Sequence, residues 1–194
     1  MEESIGLDEK RIIREKVGKP MLWLAMGSMV MLFAGLTSAY VVRKEKGDWL
    51  NFEMPQLFYI STAIIILSSV TMNMTLSAAK KNNFKGIKTA SLVTLVLGLA
   101  FIVCQFKAWG VLVNQNIVFA GKYSNASGSF LYILTGLHLV HLVGGILALA
   151  VVWIKALGQK YNSQNLFGIS LCAIFWHFLD GLWIFLFLFL LFVR

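Results

Sequence analysis

Five long apolar runs, without charge apart from Asp180 in the last, divide the 194-residue chain, at residues 21–42, 57–79, 89–106, 129–154 and 166–193. Each is as long as, or somewhat longer than, the about 17–25 apolar residues with which a helix crosses a bilayer. Lys107 interrupts the third run, whose apolar pattern continues to Val113; a lysine near a helix end extends its charge to the headgroups. Helices are the only reading for such runs, because lipid leaves no water for open backbone groups and a barrel needs shorter, alternating segments. The pattern predicts an all-α, polytopic membrane protein. A bundle of five transmembrane helices fills residues 21–194, preceded by a short tail of mixed charge over 1–20 that is cytoplasmic or interfacial.

The connections fit that division. Residues 43–55 are charged and end in proline, 80–88 are basic with one glycine, 114–128 are rich in Asn, Ser and Gly, and 155–164 are polar. Trp23, Tyr40, Trp49, Trp109, Tyr132 and Trp153 fall near span ends, where aromatic belts form. The first run is too long for the h-region of a cleaved signal peptide, so it is expected to stay in the mature protein. No internal repeat, low-complexity tract or second soluble domain interrupts the pattern.

Composition then restricts the class. Residues of the set AVILMFWYC make up 58 %, charged residues only 13 %, and mean hydropathy is +0.76. An ordinary soluble globule is excluded. The formal net charge of +8 raises the question of nucleic acid, but the placement of charge answers it with no nucleic acid. With five spans the termini lie on opposite faces. The N-terminal face collects Lys10, Arg11, Arg14, Lys16 and Lys19, then Lys80, Lys81, Lys85 and Lys88, then Lys155 and Lys160. The opposite face has Arg43, Lys44, Lys46, Lys107, Lys122 and Arg194, six against eleven. The positive-inside bias therefore places the N-terminus in the cytoplasm and the C-terminus on the outer face.

Candidate chemistry is confined to a few residues. Asp180 is the one acidic residue after Glu53, and the histidines are His138, His141 and His177. His138 and His141 share one face of the fourth helix, and His177 and Asp180 one face of the fifth. At about 1.5 Å per residue, His141 and His177 lie roughly 12 and 13 Å from the cytoplasmic ends of their runs, and His138 and Asp180 match within roughly 2 Å. Two polar rungs follow, His141 beside His177 and His138 beside Asp180. A carboxylate in hydrocarbon needs a partner, so Asp180 is expected to pair with a histidine of the fourth helix. The four residues serve as interhelical hydrogen-bond glue, in proton movement, or in contacts with lipid or a partner. His141 with His177 also formally suits a bis-histidine haem. Three imidazoles are too few for a haem-copper centre, and no phosphate loop, zinc helix or nucleophile elbow is present. Cys104 and Cys172 lie too far apart in depth for a disulfide.

Small residues mark packing surfaces. Ala34 with Ser38 and Gly35 with Ala39 in the first span, and Gly136, Gly144, Gly145 and Ala148 in the fourth, permit close helix approach. Phe185, Phe187, Phe189 and Phe192 are expected to face lipid or a partner subunit.

The stretch FWHFLDGLWIFLF at 175–187 closely resembles the last-helix signature of subunit III of haem-copper oxidases, a W-H-F-x-D-x-x-W-x-F pattern carrying Trp176, His177, Asp180 and Trp183. TGLHLVHLVGG at 135–145 is similar to that family's G-x-H-x-x-H-x-x-x-G helix, with Gly136, His138 and His141. Weaker similarity continues through LGLAFIVCQFKAW (97–109), LSSVTM (67–72) and LWLAMGSMVMLFAGLTSAY (22–40), so the resemblance covers residue 22 onward in the family's order. Many members have seven helices, with a lipid-filled cleft setting the first two apart; this sequence matches a short, five-helix bacterial form. Two family acids are absent: Met29 follows Gly27 and Ser28, and Ala108 stands between Gln105 and Trp109 where a Q-x-x-E-W pattern is common.

The resemblance implies an accessory, non-redox subunit of a proton-pumping cytochrome c oxidase in the bacterial cytoplasmic (inner) membrane. Such a chain has no catalytic centre and binds no haem, copper or other metal itself. The cofactors belong to partner subunits I and II, phospholipid is bound, and a larger respiratory supercomplex is a further setting. The role implied is to support subunit I, its lipid environment and sustained proton uptake. Subunit III of a quinol oxidase and a nitric-oxide-reductase-associated homologue are alternatives. A small proton-coupled transporter is an alternative of another class, against which stand five helices without the usual repeats.

Overall fold

A computed structural model of the chain describes residues 2–47, 49–50, 53–121, 125–159, 161 and 165–193, with side chains from Lys16 onward. The five runs become five helices: α1 Glu2–Lys44, α2 Gln56–Lys80, α3 Phe84–Asn114, α4 Ala126–Leu157 and α5 Phe167–Phe192. No strand occurs among the described residues. All five are long and apolar enough to span a membrane, α1 through its portion Lys16–Lys44. The segment before residue 21 is helical and continuous with the first span, running through Pro20. The third helix passes Lys107 and continues to Asn114. Lys122, Lys160, Arg194 and the side chains of Lys10, Arg11 and Arg14 lie outside the described residues.

Helices α2 and α3 form an antiparallel pair joined by a tight turn in which Asn82 is left-handed (φ 52°). The Asn83 side chain caps α3 by accepting from Gly86 N at 3.0 Å, and Asn125 caps α4 by accepting from Ser127 N at 3.1 Å. These caps satisfy backbone donors that a helix start leaves open. Helix α5 packs against both α2 and α4, closing a four-helix core. Of the other helices, α1 touches only α4 and α5 among the described residues. It is held by Phe33, whose ring meets His141 at 5.8 Å, and by Tyr40, which contacts Phe130 and Phe189. Lys44 Nζ donates to Val193 O at 2.8 Å, tying the end of α1 to the end of α5.

The core centres on two tryptophans of α5, Trp176 and Trp183, both fully buried. Glycines admit the first. A Cβ on Gly98 of α3 would lie 2.8 Å from the Trp176 ring, and one on Gly145 of α4 would lie 2.8 Å from Leu179 and 3.5 Å from Trp176. Such close approach matters in lipid, where dispersion and hydrogen bonds, not exclusion of water, hold helices together. Gly144, Gly35 and the exposed Ala34, Ser38 and Ala39 make no comparable contact. Ala34 and Ser38 instead line an apolar groove of about 520 Å³ between α1 and α5, floored by Leu182, Phe185 and Phe189. Phe185 and Phe192 are outward as expected. Phe187 is not: it is buried edge-on against Tyr59 of α2, while Phe189 lies against Tyr40.

Candidate functional site

The polar residues of the bundle meet along α2, the helix in which the sequence reading found least chemistry. Trp176 Nε1 donates to Ser68 Oγ at 3.1 Å and Trp183 Nε1 to Thr62 Oγ1 at 3.0 Å, joining α5 to α2. Gln105 Nε2 of α3 donates to Ser61 Oγ at 3.1 Å, and Trp109 Nε1 to Thr135 Oγ1 of α4 at 3.1 Å. In each case the hydroxyl donates to a carbonyl one turn back in its own helix: Ser61 and Thr62 to Phe58, Ser68 to Ile65, and Thr135 to Leu131. That local bond consumes the hydroxyl proton and leaves lone pairs facing across the interface. Only an N–H donor then fits, which explains why Trp and Gln occupy the facing positions.

His177 reaches the same helix. Its Nε2 lies 3.1 Å from Asn73 Oδ1, and its Nδ1 lies 2.6 Å from Ser69 Oγ. A carboxamide oxygen can only accept, so Nε2 carries the proton and Nδ1 accepts from the Ser69 hydroxyl. Both ring nitrogens are thereby engaged on α2. His141 makes a different bond: its Nδ1 donates to Leu137 O at 2.7 Å within α4. The rung expected between His141 and His177 is not made, and His177 has no free nitrogen for a haem iron.

The second rung is absent as well. His138 is fully buried between aromatic rings, 5.1 Å from Trp183 and 6.0 Å from Phe101, and neither of its nitrogens has a hydrogen-bond partner. Asp180 is 3 % exposed and neither carboxyl oxygen is hydrogen-bonded. The expected pairing of Asp180 with a histidine of the fourth helix therefore fails. The Ser69 hydroxyl and Asn73 of α2 orient His177, and aromatic rings enclose His138.

Among the remaining motif positions, Gln105 and Ala108 are buried on α3, and Gly136 faces the Trp109 ring, 3.9 Å from where its Cβ would stand. Met29 is half-buried on α1. Cys104 and Cys172 are free. No group of three or more His, Cys, Asp or Glu side chains that could hold a metal occurs among the described residues. The residues that sequence reasoning missed are Ser61, Thr62 and Asn73, while Ser68 and Ser69 stand within LSSVTM without an assigned role. Their signal was the density of hydroxyls, with one carboxamide, Asn73, in the interior of a single 25-residue span.

Comparison with known proteins agrees with the α4 and α5 motifs. The family described as cytochrome c oxidase subunit III matches residues 49–193. The chain is 32 % identical to a probable cytochrome c oxidase subunit 3 of Nocardia farcinica over 89 % of its length and 85 % of the relative. It is 30 % identical to the cytochrome c oxidase subunit 3 of Corynebacterium diphtheriae, over 85 % and 82 % of the two chains. With the quinol oxidase subunit 3 of Bacillus subtilis it shares 27 % identity over 85 % and 81 %. The chain belongs to the cytochrome c oxidase subunit III family.

Proposed function

We propose that the chain is subunit III of a proton-pumping haem-copper terminal oxidase, most closely of the cytochrome c type. In this reading it lies in the bacterial cytoplasmic membrane, N-terminus inward, against the haem-bearing subunit I and with subunit II in the same complex. The observation that carries the proposal is the family match over residues 49–193 together with the α5 signature, whose two tryptophans fasten that helix to α2. The chain's own residues offer structure: a rigid four-helix core with α1 laid on one side. It supports subunit I, its lipid surroundings and durable turnover, while oxygen reduction and electron entry belong to its partners. The 1–20 segment serves as the cytoplasmic lead into the 21–194 membrane domain. His138, His141, His177 and Asp180 are the intramembrane polar residues of the site, with Gln105, Trp109, Gly136, Trp176 and Trp183 as its frame.

The decisive test is copurification from native membranes. We expect the tagged chain to elute with a haem-bearing subunit; elution alone, or a haem spectrum in the isolated chain, defeats the proposal. The Bacillus subtilis relative favours a second reading in which the donor is a quinol. Oxidation of reduced cytochrome c or of a quinol by the purified complex separates the two.

A further inference from the structure

Two polar side chains meet at the axis of the four-helix core with hydrogen-bonding capacity left over. The Trp183 ring of α5 lies against Phe58 of α2, Phe101 of α3 and His138 of α4, so all four core helices converge at this level. Gln105 follows Phe101 by one turn of α3 and is 1 % exposed, and His138 is 0 % exposed. The contacts Phe101–His138 and Trp109–Thr135 fix the antiparallel register of α3 and α4. That register brings Gln105, between Phe101 and Trp109, to the height of His138.

The Gln105 amide is chemically fixed. Its Nε2 donates to Ser61 Oγ, whose own proton goes to Phe58 O. Turned over, the amide would set its oxygen against the Ser61 lone pairs. Oε1 therefore points away from Ser61, buried, and among the described residues neither it nor either nitrogen of His138 has a hydrogen-bond partner. An open acceptor and an open imidazole are costly in a dry interior. Both are enclosed by the chain's own helices, so lipid and neighbouring subunits cannot reach them. Their surroundings are small side chains: Ser61, Ala108 and Thr135 are all buried, Ala108 and Thr135 on the next turn of the same helix interface. A carboxamide oxygen and an uncharged imidazole bring no negative charge to hold a cation. The ligand that fits is neutral, no larger than water, and able to donate.

We propose that Gln105 of α3 and His138 of α4 bind one internal water molecule between them. The water donates to Gln105 Oε1, which can only accept, and forms its second hydrogen bond with a nitrogen of His138. Two polar partners are enough to hold an internal water. This bridge joins α3 to α4 one turn from the direct bond between Trp109 and Thr135. It is a property of the chain's own core and is independent of the oxidase's electron donor.

A map of the purified complex containing this chain, at a resolution that shows ordered solvent, decides the matter. A solvent peak within hydrogen-bond distance of both Gln105 Oε1 and a His138 nitrogen is expected. A direct bond between the two side chains, a peak touching only one of them, or no peak overturns the proposal. A double-mutant cycle on the full chain in detergent reads the same link. Gln105→Leu and His138→Phe should each shift the unfolding equilibrium about fivefold toward the unfolded chain, the share of one buried hydrogen bond. The double variant should shift it no further than Gln105→Leu alone, because neither group is then left open. Multiplying effects, about 25-fold in the double variant, would mean that the two side chains share no ligand. Where a variant does not fold, the map of the unaltered chain still gives the answer.

Discussion

Single side chains here act through which atom they leave unpaired. Thr62 and Ser68 give their protons to their own helix and their lone pairs to tryptophan. Replacing Thr62 by Val keeps the shape but strands the buried indole N–H of Trp183, at a cost of about 1–3 kcal/mol. Thermal unfolding of the purified chain in detergent should register that loss. Asp180 is the opposite case, since its oxygens have no hydrogen bond to lose. Asp180→Asn should leave the stability of the isolated chain unchanged or higher, whereas His177→Ala, which breaks two contacts, should lower it by about 1 kcal/mol. In the assembled oxidase both variants should shorten the duration of turnover more than they lower its initial rate. A stability loss in Asp180→Asn equal to that of His177→Ala would make the carboxyl mere structural glue. The sequence identified all four polar residues, because charge and imidazole stand out against a hydrocarbon background. It could not pair them, since rotation about a helix axis decides whether His177 meets α4 or α2, and serine carries almost no hydropathy signal to mark the partner.

For whole helices, glycines decide the distance of approach. Gly98→Ala should cost about 1–3 kcal/mol, because the new methyl group meets the rigid Trp176 ring. Gly35→Ala, with open space around it, should change stability little. Equal effects in the two variants, measured by the same thermal unfolding, would mean that the Trp176 slot does not limit packing. Five helices were legible because each run is long, apolar and free of charge but for Asp180 in the last, and Gly145 was found within a cluster of small residues. Gly98 was not singled out, for a lone glycine in an apolar run looks alike whether it faces a ring or lipid. Phe187 was placed outward for the same reason: adjacent phenylalanines on one helix differ in surroundings only once Tyr59 is positioned.

Across the whole molecule, charge asymmetry sets the orientation to be tested. Lys81 and Lys46 are exposed at connections on opposite faces. With the N-terminus inside, Lys46→Cys should react with a membrane-impermeant maleimide on intact cells, and Lys81→Cys only after the cells are opened. The reverse pattern would invert the topology.

The placement of α1 also has a consequence for how the protein is made. Its packing surfaces within the chain belong to α4 and α5 and not to its neighbours α2 and α3, so of the five helices the one made earliest waits through two others before it can dock. Translation at about 5–20 residues per second separates the end of α1 from the end of α4 by roughly 6–23 s. Throughout that interval α1 stands apart in the bilayer or in the keeping of the insertion machinery. A chain halted before α4 is synthesised should therefore still expose Phe33 and Tyr40, whose α4 partners are His141 and Phe130, as a marker by which an unfinished subunit can be told from a finished one.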